Sequence, residues 1–276
     1  MTVLCPAADS TNSIRIITSF YPIYIHTLNV TAGAEGITVT NLVKPTAGCL
    51  HDYAFTAGDL VAVTKADIMI INGNGMESFI DKAMKGSPKL KILDSSKGIE
   101  VIKDGNGIVN PHIWVSVSGA IGQVENIARE LASADPARAQ LYFMNASNYV
   151  VKLQALRQKM KDGLKDISKR DIITFHEAFP YFAREFDLKI VGIINREPGS
   201  EPTARELIES INAVKTSGAK AIFIEPQYST KAADVISRET GIGIFKLDPS
   251  VTGDISMDAY IKTMERNLLE LQKALK

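Results

Sequence analysis

The stretch DPARAQLYFMNASNYVVKLQALRQKMKDGLKD, residues 135–166, lies at the middle of the chain, in a segment without a strand pattern. Its apolar residues recur at steps of three and four, and lysine, arginine and glutamine fill much of the opposite face. The repeating positions are Ala139, Tyr142, Phe143, Ala146, Tyr149, Val150, Leu153, Leu156, Met160 and Leu164. The pattern predicts one amphipathic helix of about 30 residues and about 45 Å, with Asp135 as its N-cap and Pro136 in its first turn.

Short β-branched, apolar runs alternate with helical patterns on both sides of this segment. The predicted strands lie within residues 14–20, 37–43, 67–73, 91–94, 171–176, 188–194, 220–226 and 243–248. The predicted helices lie near residues 23–31, 57–66, 76–85, 177–186, 202–216, 231–240 and 257–275. This alternation predicts the α/β class, with two lobes of mainly parallel sheets joined by one long rigid backbone helix.

The predicted domain organisation follows from these patterns. Residues 1–13 form a disordered N-terminal tether, 14–134 an N-terminal lobe, 135–166 the linking helix and 167–276 a C-terminal lobe. Lysine plus arginine and aspartate plus glutamate number 31 each, so the formal net charge is zero. No overall field therefore favours nucleic acid or anionic lipid.

The N-terminus and the two cysteines leave alternatives open. The first residues, MTVLCPAADS, are too short and polar for a complete signal peptide, which fits a cytosolic protein or an exported one whose signal has been removed. Cys5 and Cys49 allow one disulfide, two free thiols or a lipidated Cys5. Cys49 lies two residues before His51, so it could serve as a soft extra metal ligand. The alternative is a small buried residue, since free cysteines are often buried.

Side chains that commonly bind metals stand where several apolar runs end. His51, His112 and His176 lie in CLHDY, NPHIW and DIITFHEAF, and Asp248 closes the run GIFKLD. Because the carboxyl ends of parallel strands open into one crevice, we expect these groups to meet between the lobes. Three imidazoles and one carboxylate complete a tetrahedral shell that suits zinc.

The number of protein ligands separates two classes of function. Four ligands close the shell and indicate metal carriage, whereas three ligands and a bound water indicate catalysis. The second hypothesis is a zinc hydrolase with ligands His51, His112 and His176 and with Glu225 or Glu177 as general base. The H-E-x-x-H motif of many zinc hydrolases is absent from the sequence.

Three elements also have structural interpretations. Asp248, which precedes Pro249, is also consistent with a turn or helix cap, and Glu225 is then the alternative carboxylate. His26 falls among apolar residues of a predicted helix and is interpreted as a packed or surface histidine. The glycines of INGNGMESF match neither phosphate-binding spacing, and we interpret them as a strand-to-helix turn.

The series SFYPIY, HDY, ADIMIINGNGMESF, NPHIW, TFHEAFPYFAREFDL, EPGSEPT, IFIEPQYS and LDP occurs in this order from about residue 13 onward. In these motifs the chain resembles the metal-binding (zinc or manganese) periplasmic substrate-binding proteins of bacterial ABC importers, class A-I, and is most similar to the zinc branch. The resemblance implies two α/β lobes, a rigid linking helix and a buried metal site formed by His51, His112, His176 and Asp248.

The resemblance also implies the function. Such a protein is not an enzyme. It captures a divalent metal ion at the periplasmic or extracellular face of the cytoplasmic membrane and passes it to the membrane subunits of an ABC permease. We expect a monomer that binds no nucleic acid. His176 favours Zn2+, because related manganese proteins carry glutamate there. Mn2+ is the alternative, since residues 95–111 lack the histidines of many zinc members. A surface adhesin of the same fold is a further alternative.

Overall fold

The structure is a computed structural model that describes residues 13–44, 50, 53–194 and 202–276. Its strands are β1 (Ile14–Thr18), β2 (Ile37–Asn41), β3 (Ile68–Ile71), β4 (Lys91–Asp94), β5 (Asp171–Thr174), β6 (Lys189–Ile193), β7 (Ala221–Ile224) and β8 (Gly243–Lys246). Its helices are α1 (Tyr21–Val30), α2 (Ala57–Thr64), α3 (Ile80–Gly86), α4 (Val117–Ala134), α5 (Ala139–Gly163), α6 (Pro180–Glu185), α7 (Ala204–Ser217), α8 (Lys231–Thr240) and α9 (Ala259–Leu275).

The strands form two sheets of the same topology. The first has the order β2-β1-β3-β4 and the second the order β6-β5-β7-β8, and neighbouring strands in both run parallel. β3 and β7 lie inside their sheets, and all of their side chains are buried, as expected for parallel strands covered on both faces. The predicted α/β class with two parallel-sheet lobes is confirmed.

The segment between the sheets contains two long helices, α4 and α5, packed against each other. The helix observed within residues 135–166 is shorter than the predicted one. α5 has 25 residues, and it follows a short 3-10 turn at Pro136–Arg138. At 1.5 Å per residue it is about 37 Å long. The side chain of Asp135 does not cap α5, which corrects the prediction. Its carboxylate instead accepts hydrogen bonds from the side chains of Arg138 and Tyr142. Asp135 therefore stabilises the start of α5 through side-chain contacts and not as a cap.

One hydrophobic core extends across both sheets. It includes residues of β1 and β3, the inner faces of α4 and α5, and residues of β5, β7 and α9. The C-terminal helix α9 contacts both α5 and α1. Just before α9 begins, the carbonyl oxygen of Met257 accepts a hydrogen bond from the side chain of Asn29 in α1. A second, smaller cluster lies between the second sheet and α7 and α8. Because the main core is continuous across both sheets, it does not mark where one domain ends and the next begins. The domain boundaries given above therefore stay predictions.

One further prediction falls almost entirely on residues that the structure does not describe. The N-terminal tether, predicted for residues 1–13, lies outside the described residues except for Ser13. Within the described ranges, no helix combines the length and the apolar character that crossing a bilayer requires.

Candidate metal centre

His112 and His176 come together although they belong to different halves of the chain. His112 directly precedes a 3-10 turn, Ile113–Val115, and His176 lies two residues beyond the end of β5. Both are buried, with 2% and 3% of their surface exposed. Their Nε2 atoms are 3.3 Å apart and their ring planes are inclined by 78°. Two nitrogens bound to one tetrahedral zinc ion, at about 2.0–2.1 Å each, are separated by about 3.3–3.4 Å.

Asp248 follows β8 and its loop is held by Asn267 of α9. The backbone N–H of Asp248 donates to Asn267 Oδ1, and Asn267 Nδ2 donates back to the carbonyl oxygen of Asp248, both at 2.8 Å. The carboxylate accepts a hydrogen bond of 2.8 Å from the N–H of Ser250. Burial raises the pKa of Asp248, against the lowering effects of that hydrogen bond and of Arg266.

Glu225 lies one residue beyond the end of β7 and is only 1% exposed. Gln227 Nε2 donates a hydrogen bond of 2.6 Å to its Oε2. Burial, followed by the negative charge of Asp248, raises the pKa of Glu225 well above its usual range. The two carboxylates therefore share one region at the carboxyl edge of the second sheet, as the strand ends predicted.

The loop of His112 is attached to the loop of Asp248 through Trp114. The indole ring of Trp114 is fully buried and its centre is 5.2 Å from the centre of the His112 ring. Its Nε1 donates a hydrogen bond of 2.7 Å to the carbonyl oxygen of Pro249. The hydroxyl of Tyr260 in α9 donates to the carbonyl oxygen of Trp114 from the other side. Together with the contact between His112 and His176, these bonds bring three of the four predicted ligand segments to one place.

Some predicted site residues cannot be placed beside this group. His51 lies outside the described residues, as do its neighbour Cys49 and the N-terminal Cys5. Within the part of the chain that the structure describes, no three histidine, cysteine or acidic side chains are arranged to hold a metal ion. The complete shell of four ligands therefore stays a prediction.

His26 is not part of the site. It is fully buried in α1, where its ring packs edge-on against Tyr260 and lies 6.0 Å from the ring of Tyr149. Neither ring nitrogen has a hydrogen-bond partner among the described residues. Burial lowers the pKa of His26 to about 3, so the ring is neutral at physiological pH. Of the two interpretations of His26, the packed histidine agrees with this position.

One buried polar network behind His112 was missed from the sequence. The carboxylate of Glu77 accepts hydrogen bonds from the backbone N–H groups of Asn72 and Gly73, at 2.7 and 3.0 Å. Asn72 Nδ2 donates to the carbonyl oxygen of Pro111, and its Oδ1 accepts from Gln123. Burial raises the pKa of Glu77 to about 7. The sequence feature that could have indicated this network is an acidic residue in the turn INGNGMESF, which directly follows a fully apolar strand.

Comparison with known proteins places this chain in a family. A family model described as zinc-uptake complex component A, periplasmic (ZnuA), matches residues 16–274. The chain is 29% identical over 254 residues to the high-affinity zinc uptake system protein ZnuA of Bacillus subtilis, covering 85% of this chain and 78% of that protein. It is 31% identical over 258 residues to the iron-binding protein YfeA of Yersinia pestis, covering 90% and 81%.

Two further similarities concern length and fold. The zinc-binding lipoprotein AdcA of Streptococcus pneumoniae is 28% identical over 280 residues, which are 94% of this chain but only 55% of AdcA. The structure of the substrate-binding protein FpvC of Pseudomonas aeruginosa in complex with Mn2+ superposes with a TM-score of 0.84 at 30% identity, covering 96% of this chain and 98% of FpvC. With nearly its whole length matched by the family model, this chain belongs to the periplasmic zinc-uptake component family, ZnuA.

Proposed function

We propose that this protein captures a divalent transition metal ion outside the cytoplasmic membrane and delivers it to the membrane subunits of an ABC permease. Zinc is the proposed cargo and manganese is the alternative. The proposed ligands are His51, His112, His176 and Asp248. A closed shell of this kind binds an ion for carriage, because it leaves no position for a reacting water. The protein is therefore proposed not to be an enzyme.

The single observation that carries this proposal is the 3.3 Å separation of the two Nε2 atoms of His112 and His176. Two buried imidazoles seldom approach each other in this way unless a proton or a metal ion lies between them. The separation matches the spacing that one tetrahedral zinc ion imposes on two nitrogen ligands. The repulsion between the nearby carboxylates of Asp248 and Glu225, which helps to raise the pKa of Glu225, would be relieved by a cation at the same edge of the sheet.

The ligand types and the relatives support zinc as the first choice of metal. Imidazole nitrogen is a borderline ligand that zinc prefers, whereas manganese prefers oxygen. The relatives named for zinc include ZnuA of Bacillus subtilis and AdcA of Streptococcus pneumoniae. YfeA is named for iron, and FpvC was solved with manganese. The metal must therefore be measured for this chain.

The location, the partner and the oligomeric state belong to the same proposal. The family description places its members in the periplasm, and AdcA is described as a lipoprotein, which supports a position on the outer side of the cytoplasmic membrane. An ABC permease is the partner that such an uptake component requires. The zero net charge supports the absence of nucleic-acid binding, and the proposed oligomeric state is a monomer.

The test is a metal competition on the purified, chelator-stripped protein. Equimolar zinc and manganese are added, unbound metal is removed, and the retained metals are quantified by inductively coupled plasma mass spectrometry. We expect one zinc ion per chain. His112→Ala and His176→Ala should lose most of this zinc, whereas His26→Phe, a buried histidine outside the site, should retain it.

Four other outcomes have distinct meanings. Preferential retention of manganese would keep the transport role and change its metal. Equal retention by His176→Ala and by His26→Phe would reject the ligand assignment. Failure of the wild-type protein to retain any metal would reject the proposed function, and chelator-sensitive hydrolysis of an ester or peptide would favour the hydrolase hypothesis instead.

A further inference from the structure

We propose that Asn110 is a positioning residue that fixes the tautomer of His112 and ties it to the segment of His176. The inference rests on the proposed function, because it takes both histidines as metal ligands. Asn110 precedes His112 by two residues, and its side chain contacts both ligand segments. Its amide thus joins two parts of the site that belong to different lobes.

The orientation of the Asn110 amide is set by two contacts. Its Oδ1 lies 3.0 Å from the backbone nitrogen of His112, which is always a donor, so Oδ1 must be the accepting oxygen. Its Nδ2 lies 3.0 Å from the carbonyl oxygen of Glu177, which is always an acceptor, so Nδ2 must be the donating nitrogen. The reversed orientation would place two donors together at one end and two acceptors together at the other.

This orientation decides which nitrogen of His112 carries the proton. The same Oδ1 lies 3.0 Å from His112 Nδ1. Because that oxygen is an acceptor, the neutral ring must donate from Nδ1–H, and the lone pair is left on Nε2. Nε2 is the atom that lies 3.3 Å from His176 Nε2. Asn110 therefore presents the metal-binding form of His112 before the metal arrives, as the outer partners of metal-bound histidines commonly do.

The same residue fixes the distance between the two ligand segments. Glu177, whose carbonyl oxygen accepts from Asn110, is the residue directly after His176. Tyr181 of α6 donates a hydrogen bond of 2.8 Å to the carbonyl oxygen of Asn110. The Tyr181 hydroxyl in turn accepts one of 2.9 Å from the N–H of Ile102. Residues 102–110 are thus fastened to the start of the second lobe at three points, two of which involve Asn110.

The test uses two variants with different expected effects. Asn110→Ala removes both the acceptor for Nδ1–H and the donor to Glu177. Asn110→Asp keeps an acceptor beside Nδ1–H but places an oxygen against the Glu177 carbonyl oxygen. The matched control is Asn145→Ala, since Asn145 also uses its side-chain amide to join two segments: its Nδ2 donates hydrogen bonds to the carbonyl oxygens of Val30 and Ala32, away from the site.

The first readout is imidazole 15N NMR of the metal-free proteins, with the His112 signal assigned by its loss in His112→Ala. At a pH where the His112 ring is neutral, the wild-type protein, Asn145→Ala and Asn110→Asp should show this ring protonated at Nδ1 alone. Asn110→Ala should show a mixture of the two tautomers. A wild-type ring protonated at Nε2, an unchanged Nδ1–H form in Asn110→Ala, or an Nε2–H form in Asn110→Asp would each overturn the proposal.

The second readout is zinc affinity by competition with a chelator. Asn110→Ala should weaken zinc binding by about 10- to 100-fold, the range typical for outer partners of metal ligands. Asn145→Ala should change it less than about twofold, and equal losses in the two variants would overturn the positioning role. If the wild-type protein binds no metal, the proposed function fails, whereas the NMR experiment still decides the tautomer assignment by itself.

Discussion

The indole Nε1 of Trp114 donates a 2.7 Å hydrogen bond to the carbonyl oxygen of Pro249, 135 residues further along the chain. Trp114 follows the proposed ligand His112 by two residues, and Pro249 directly follows the proposed ligand Asp248. The bond therefore connects two ligand loops from different lobes. It is completely buried, so both partners would lose a hydrogen bond without gaining water if it were broken.

Trp114→Phe should lower the free energy of unfolding by about 2–4 kcal/mol, because it leaves a buried carbonyl unpaired and a small cavity. It should also weaken zinc binding, since the Asp248 loop loses its attachment. Denaturant unfolding and chelator competition measure the two effects. Tyr260→Phe is the control, because it removes hydrogen bonds to the carbonyl oxygens of Trp114 and Ser116 but leaves Pro249 in place. A zinc affinity that falls equally in both variants would contradict the role of the Trp114–Pro249 bond.

His26→Phe should make the stability of the metal-free protein less sensitive to acid. The pKa of His26 is about 3 in the folded protein and about 6.5 in an unfolded chain. Below pH 6.5 the unfolded state binds a proton that the folded state does not, so stability falls as the pH decreases from 6.5 towards 3. At pH 5 the loss amounts to about 2 kcal/mol.

The measurement is urea unfolding at pH 7.5 and at pH 5 for the wild-type protein and His26→Phe. Phenylalanine keeps a ring against Tyr149 and Tyr260 but cannot bind a proton. The stability difference between the two pH values should therefore be smaller in the variant by about 2 kcal/mol. Identical differences in both proteins would show that His26 is not a neutral buried group.

Asp135→Ala should destabilise the protein by about 3–5 kcal/mol, because it leaves the buried guanidinium of Arg138 without its carboxylate. The two side chains are 2.8 Å apart, and they are only 7% and 9% exposed. The loss also removes the acceptor of the Tyr142 hydroxyl. Thermal unfolding of the variant measures this effect.

The exposed pair of Arg205 and Glu209 provides the comparison for Asp135. These side chains are 88% and 60% exposed and also form an ion pair, at 2.9 Å. Glu209→Ala should change stability by less than about 1 kcal/mol, since water and salt screen the pair. Similar losses from Glu209→Ala and Asp135→Ala would mean that the burial of Asp135 contributes nothing.

Zinc affinity should decrease as the pH falls through about 6.5, because protons compete with the metal for the ligand histidines. Each histidine that must lose a proton on binding contributes up to a tenfold change in zinc affinity per pH unit. Burial also raises the pKa of Asp248, so this carboxylate begins to take up protons at a higher pH than an exposed one. Chelator competition between pH 7.5 and pH 5 measures the slope. A constant affinity across this range would contradict a shell of three histidines.

The regular elements were largely predictable from local patterns. The eight predicted strands all contain an observed strand, because each is a short apolar or β-branched run, and the two inner strands β3 and β7 are buried on both faces. The ends of the elements were less predictable: α6 begins at Pro180 rather than near residue 177. The local pattern also gave the wrong role for Asp135. Its position before Pro136 suggested a helix cap, whereas in the structure its carboxylate forms a buried ion pair with Arg138.

The sequence by itself determined the α/β class, the two parallel sheets and the placement of candidate ligands at strand ends, because periodicity and chain order are local properties. Only the tertiary structure decided that His112 and His176 meet at 3.3 Å, and that Asn110 contacts both of their segments. These relationships depend on α4, α5 and α9 sharing one core with both sheets. Contacts between residues more than 60 positions apart result from how the lobes pack, and no local pattern encodes that packing.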